Sequence, residues 1–177
     1  MARIFIASPA LRSANNGNWQ TANRWFRFLH AGYQVSLGAE WPAPRQLQKP
    51  PDCLIALHAR RSAQTIARFA DACPDRPLLV VLTGTDLYRD IRVDDSARRS
   101  LDLATHLVVL QEEGLAELLS AHRAKCRVIH QSAPVRKLAV PATRRRRTFD
   151  VVLVGHMREE KDPRTPMRAL ERLPDNS

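Results

Sequence analysis

Apolar runs of strand length alternate with helical patterns along this chain, and that alternation restricts the fold more than any other feature. The strand candidates are Arg3 to Ala7, Gln34 to Leu37, Cys53 to Leu57, Leu78 to Leu82, Leu107 to Leu110, Arg127 to His130 and Asp150 to Val154. Between the first two lies Asn18 to Ala31, whose Ala22, Trp25, Phe26 and Leu29 recur at helical spacing and whose Gly32 is placed as a C-cap. Ser62 is expected to cap a second helix running through Phe69, with Ile66, Phe69 and Ala70 inward and Pro74 to Pro77 ending it. Ser96 to Ala104 and Glu112 to His122 read as two further helices. Strands that alternate with helices are the mark of βαβ units around a parallel sheet, so the expectation is an α/β, Rossmann-like fold with flanking helices.

The pattern lapses from Ser132 to Thr148, where Pro134, Pro141 and the run Arg144 to Arg147 follow neither period. The expected organisation is therefore a Rossmann-like domain over 1–131, a linker over 132–148 and the start of a second domain over 149–177. A chain of 177 residues holds one good core and leaves little for another. One strand at Asp150 to Val154 and one helix at Thr165 to Leu173 cannot bury their own faces, which predicts an incomplete second domain, partly unfolded beyond Ser132.

Composition narrows the partners. With 28 Lys and Arg against 18 Asp and Glu, the net charge of +10 favours anionic ligands. The Arg144 to Arg147 run fits a solvated linker better than a nucleic-acid arm, since no aromatic residues interleave with it to stack bases. Cys53, Cys73 and Cys126 stand far apart in no metal spacing, which suits reduced thiols in the cytoplasm, and no His is placed as a metal ligand. The amino terminus lacks the apolar core of a signal peptide and no run is long enough to span a membrane. The expectation is a cytoplasmic protein without metal or cofactor.

Chemistry is expected where apolar runs end, because open parallel sheets bind ligands at the carboxyl ends of their strands. Leu78 to Leu82 breaks abruptly at Thr83-Gly84-Thr85-Asp86 and then presents Tyr88, Arg89 and Asp90. Cys53 to Leu57 runs likewise into His58-Ala59-Arg60-Arg61-Ser62. Arg60 and Arg61, with a helix N-terminus behind them, could grip one phosphate-like group, although adjacent residues of an extended segment cannot both face it. Asp86 could orient a ligand hydroxyl or an Arg, act as a base, or simply cap the segment beginning at Leu87. Arg89 and Asp90 could pair with each other. The first loop, Ser8 to Asn18, carries Gly17, which would let a ligand approach the backbone, and the N–H groups opening the first helix; the same residues fit a plain surface loop. Gly155-His156-Met157-Arg158-Glu159-Glu160-Lys161 could hold a diphosphate or be a solvated charge cluster.

Taken together, HARRSAQTIARF, LTGTDLYRDI, LVVLQEEGL and VGHMREEKDP resemble the glycosyltransferase-like selenosugar synthases of selenoneine biosynthesis, which look like retaining GT-B glycosyltransferases of the family 4 sort. The likeness runs from Arg3 to about Leu173 and covers the amino-terminal domain and the beginning of the carboxyl-terminal one. It implies transfer of N-acetylglucosamine or a related sugar from a UDP-sugar to selenophosphate, with loss of phosphate leaving a selenosugar. It implies that Gly17, Asn18, His58, Thr83, Gly84 and Thr85 surround selenophosphate and the sugar, with Asp86 orienting and Arg60 or Arg61 clamping the acceptor. Gly155, Lys161 and, less directly, Arg158 would face the donor diphosphate. The chain departs from the broader family 4 pattern in one place: His156, not an Arg, follows the Gly of that motif, and Arg158 stands two positions on.

The resemblance places most UDP contacts in a part this chain does not include, so the chain alone is expected to be inactive. Two rivals remain on the sequence: an ordinary GT-B enzyme with a hydroxyl acceptor, which would gain more from Asp86 as a base, and a basic module that binds nucleotide or nucleic acid without turnover.

Overall fold

The computed structural model describes residues 1–14, 16–41, 49–132, 151–154 and 162–173. The chain divides into two units, Met1–Ala133 and Pro134–Ser177. In the first unit six strands form one all-parallel sheet, and the α/β Rossmann-like fold read from the sequence is present. The strands are β1 (Arg3–Ala7), β2 (Gln34–Gly38), β3 (Cys53–Leu57), β4 (Leu78–Val81), β5 (His106–Val109) and β6 (Cys126–Val128), in the order β2-β1-β3-β4-β5-β6.

The apolar runs of β1, β3, β4 and β5 are buried on both faces, because alternate side chains of one strand enter two separate cores, whereas the edge strands β2 and β6 expose Gln34, Ser36 and Arg127. Phe5, Leu54, Ala56, Leu78, Val80, Leu107 and Val109 meet Ile66 and Phe69 of α2 (Ala63–Ala72) and, past the short helix α3 (Ile91–Val93), Ala97 and Leu101 of α4 (Asp95–Leu103). Trp41 closes this core edge-on against Phe69, with ring centroids 5.2 Å apart. Ile4, Ile6, Val35, Ile55, Leu57, Val81 and Val108 face the other way, where Ala22, Trp25, Phe26 and Leu29 of α1 (Gly17–Leu29) cover them.

Within this unit the structure corrects the expected helix at Glu112 to His122, the Ser62 cap and the last strand. Helix Glu112 to His122 is split into a 3₁₀ turn, Glu112–Leu115, and α5 (Ser120–Ala124). Leu119 between them takes extended backbone, and Leu118 is buried. Ser62 precedes α2 but does not cap it: its hydroxyl donates instead to Leu57 O at 2.7 Å. The last strand of the sheet begins one residue earlier than expected and ends at Val128: Cys126, Arg127 and Val128 stand in register with Leu107, Val108 and Val109, and Ile129 adds only its N–H, donated to Val109 O at 2.9 Å.

In the second unit the described residues are Val151–Val154 and 162–173. Val151, Val152, Leu153 and Val154 are exposed and form no strand, which corrects the expectation for Asp150 to Val154. The run has strand composition but, among the described residues, no neighbouring strand to complete a ladder. A helix, α6 (Arg164–Leu170), follows and exposes Met167 and Leu170.

Candidate functional site

The strand order locates a crevice before any side chain is considered. From β1 the chain passes outward to β2 and then returns to β3 on the other side of β1. The loops leaving the carboxyl ends of β1 and β3 therefore diverge, and open α/β sheets take ligands at such a switch point. The first turn of α1 and the segments after β3 and β4 hold Gly17, Asn18, His58, Arg60, Arg61, Thr83, Gly84, Thr85 and Asp86 at this one edge of the sheet.

The loop after β1 is internally satisfied. Ser8 is buried and its hydroxyl donates to Ala10 O at 2.7 Å. Asn16 caps α1, its side-chain oxygen accepting the Trp19 N–H at 3.2 Å. Gly17 opens the helix, and a Cβ there would meet nothing within 4 Å, so the space beside it is open. Among the described residues no hydrogen bond joins Gly17 or Asn18 to the groups on β3 and β4.

The end of β3 carries the strained residue of this edge. His58 has φ of +71°, a left-handed conformation that a side chain makes costly, and its side chain is 3% exposed. Its backbone is fixed on both sides: the N–H donates to Val81 O at 2.9 Å and the carbonyl accepts from Ser62 N at 3.0 Å. The ring is fixed as well, with Nδ1 3.3 Å from the Arg61 backbone N and Nε2 3.1 Å from Thr85 Oγ1. Burial holds the imidazole below its ordinary pKa, more than Asp86 and Asp90 nearby can offset, so His58 is neutral at pH 7.

Asp86 is fully buried. Its Oδ1 accepts the Thr83 and Gly84 N–H groups, both at 2.9 Å, and its Oδ2 accepts the Ala59 N–H at 3.0 Å. The carboxylate expected to orient a ligand, serve as a base or cap the segment after it thus ties two loops of the protein together. Gly84 has φ of +145°, which only glycine adopts freely, and this lets the chain fold back over Asp86. The turn that follows, Asp86–Asp90, is π-helical, an arrangement found often at functional sites.

Asp90 is also buried, and it collects the cations. Arg60 Nε donates to Oδ2 at 2.9 Å and Arg89 Nε to Oδ1 at 3.0 Å. Burial alone would raise the Asp90 pKa, but these two guanidinium bonds outweigh it and hold the carboxyl below its usual range. The pairing of Arg89 with Asp90 was legible in the sequence; the reach of Arg60 across from the next strand was not. Two other contributors also went unread. Ser100 on α4 places its hydroxyl 2.9 Å from Ala59 O, and Gln111 after β5 bonds the Tyr88 hydroxyl. Neither residue belongs to a recognisable pattern.

What is left over defines the chemistry. Both carboxylates of the edge are engaged, whereas the exposed Arg61 guanidinium has no ion pair among the described residues. No cluster able to hold a metal ion occurs among those residues, and none of their helices is long and apolar enough to cross a membrane. Gly155, Arg158 and Lys161, the expected donor-side groups, lie outside the described residues. No protein-family model and no curated protein matches the chain.

Proposed function

We propose that this edge is the acceptor side of a GT-B glycosyltransferase that joins selenophosphate to the sugar of a UDP-sugar, with UDP-N-acetylglucosamine as the preferred donor. In this reaction the selenium attacks the anomeric carbon, the carbon–selenium bond forms, and UDP departs with the bonding pair. Water then cleaves the selenium–phosphorus bond, its oxygen leaving with the phosphorus as phosphate and the selenium keeping the bonding pair, which leaves the selenosugar as a selenolate or selenol. One observation carries the reading: Asp86 and Asp90 are engaged by protein donors, while the Arg61 guanidinium has no ion pair among the described residues. A hydroxyl acceptor needs a base to remove its proton, and among the described residues both carboxylates of the edge are buried and engaged by protein donors. A selenium nucleophile is already anionic near neutral pH, so it needs positioning and charge neutralisation instead.

In this reading Arg61 is the acceptor clamp, and Arg60 reaches the site only through its bond to Asp90. Gly17, Asn18, His58, Thr83, Gly84 and Thr85 form the walls. Gly155, Arg158 and Lys161 serve the donor diphosphate, as the sequence resemblance implies. The three free thiols suit a cytoplasmic setting.

A chemical-shift titration of the 177-residue chain tests the assignment, because it needs binding and not turnover. Selenophosphate is expected to move the amide signals of His58–Ser62 and Thr83–Asp90, and a simple methyl glycoside is not. If RNA or a nucleotide moved those signals and selenophosphate did not, the edge would belong to a binding module and the proposal would fail.

A further inference from the structure

The hydrogen bonds around His58 fix the direction of the Thr85 hydroxyl. A backbone N–H can only donate, so the Arg61 N–H at 3.3 Å requires a lone pair on His58 Nδ1. A neutral imidazole then carries its proton on Nε2, which faces Thr85 Oγ1 at 3.1 Å. The ring donates, Thr85 accepts, and the hydroxyl proton of Thr85 is left to point elsewhere. Among the described residues it meets no acceptor: the carboxylates of Asp86 and Asp90 take backbone and guanidinium donors instead.

We infer that Thr85 is a specificity-determining donor, held in that sense by His58 as a positioning residue, so that the site favours an oxyanion with several acceptor oxygens over a neutral hydroxyl. The inference rests on the assignment of this edge as the acceptor side and adds to it the chemical class of the bound end: a phosphate-type group in its dianionic form. Thr85 Oγ–H and the Arg61 guanidinium both offer protons, and one of the two lone pairs on Thr85 Oγ1 is already taken by the His58 ring. A dianion satisfies both. A sugar hydroxyl offers these two donors one uncharged acceptor oxygen, and its bonds to them are weaker than the charge-assisted bonds a dianion makes. The arrangement also gives the strained backbone of His58 a use, since glycine would remove the strain and lose the ring that sets Thr85.

Two measurements on the full chain decide it, with inorganic phosphate as the probe. A long-range proton–nitrogen correlation spectrum of the histidines should show His58 with its proton on Nε2 in the free protein; a proton on Nδ1 would overturn the inference. Titration with phosphate near pH 8 should give measurable binding by wild type, binding within about twofold by Thr85→Ser, and a loss of about tenfold in Thr85→Val, the scale of one hydrogen bond to a charged group. No binding by wild type, or equal binding by wild type and Thr85→Val, would overturn it. Selenophosphate bound at the edge with no effect of Thr85→Val would sink this inference and leave the transferase reading standing. Phosphate bound through Thr85, with no response to selenophosphate at the same residues, would do the reverse.

Discussion

Asp86 Oδ2 accepts the Ala59 N–H at 3.0 Å, and through that bond the loop after β4 holds the loop after β3. The two residues are 27 positions apart in sequence and meet only because β3 and β4 are neighbours. Since Oδ1 serves Thr83 and Gly84 as well, Asp86 supplies acceptors for three backbone N–H groups in a place water does not reach.

Removing that acceptor should therefore destabilise the domain more than it alters the chemistry. Each buried donor left without a partner costs about 1–3 kcal/mol, partly recovered by loop movement, so Asp86→Ala should lose about 3 kcal/mol in a urea unfolding experiment. Asp86→Asn keeps one oxygen but turns an NH₂ toward a donor, and should lose about 2 kcal/mol. If Asp86→Asn had wild-type stability and lost only ligand binding, Asp86 would be a ligand-facing group after all.

How much of this could be read beforehand depends on the range of each interaction. The strands were legible because a continuous apolar run such as Leu78 to Val81 signals burial on both faces without knowledge of its neighbours. Val151–Val154 shows the limit of that signal, for it has the same composition yet forms no ladder, and pairing is a property of two segments. The edge was legible as a place, since His58 to Ser62 and Thr83 to Asp90 both follow such runs. The roles within it were not. Whether Asp86 faces a ligand or Ala59, and whether Arg60 or Arg61 is paired, is set by contacts between β3 and β4 that no local pattern encodes. The left-handed backbone of His58 was equally hidden, because only glycine advertises that conformation in sequence.

That backbone predicts an inversion of the usual order of substitutions at position 58. Both His58→Ala and His58→Gly lose the bonds to Arg61 N and Thr85, but alanine retains the strain of a positive φ and glycine does not. His58→Gly should accordingly be more stable than His58→Ala by about 1 kcal/mol, although glycine loosens the unfolded chain. Asparagine tolerates this backbone better than most residues, so His58→Asn should lie closest to wild type. Urea midpoints of the three variants give the order, and alanine above glycine would show that the strain is absent.

The depressed pKa values of His58 and Asp90 predict a two-stage response to acid. For a group whose folded pKa is lowered, the unfolded chain binds more protons, so its stability contribution is present above the unfolded pKa and is lost as pH falls through the folded one. The contribution of His58 should begin to fall below its ordinary value of 6.5, and that of Asp90 only below 3.8. Stability of wild type should thus decline from about pH 6.5 downward, whereas His58→Asn should stay flat until about pH 4. Thermal midpoints across that range would show it, and parallel profiles for the two proteins would exclude His58 as the source.

Adjacent arginines at 60 and 61 should separate stability from binding. Arg60 donates to a carboxylate that is 3% exposed, and its removal leaves Asp90 with Arg89 as its remaining guanidinium partner. Because Arg60 is itself 40% exposed, solvent weakens the pair, and Arg60→Ala should cost about 1 kcal/mol of stability. Arg61 contributes its backbone N–H to His58, which alanine retains, and its side chain holds no ion pair among the described residues. Arg61→Ala should therefore leave stability within about 0.5 kcal/mol of wild type. Phosphate binding should respond in the opposite sense, falling about tenfold in Arg61→Ala, with a weaker dependence on salt, and much less in Arg60→Ala. Calorimetric titration at two salt concentrations, set beside urea unfolding of the same two variants, would reveal the crossed pattern. A loss of binding confined to Arg60→Ala would transfer the clamp to that residue and make its bond to Asp90 a resting state.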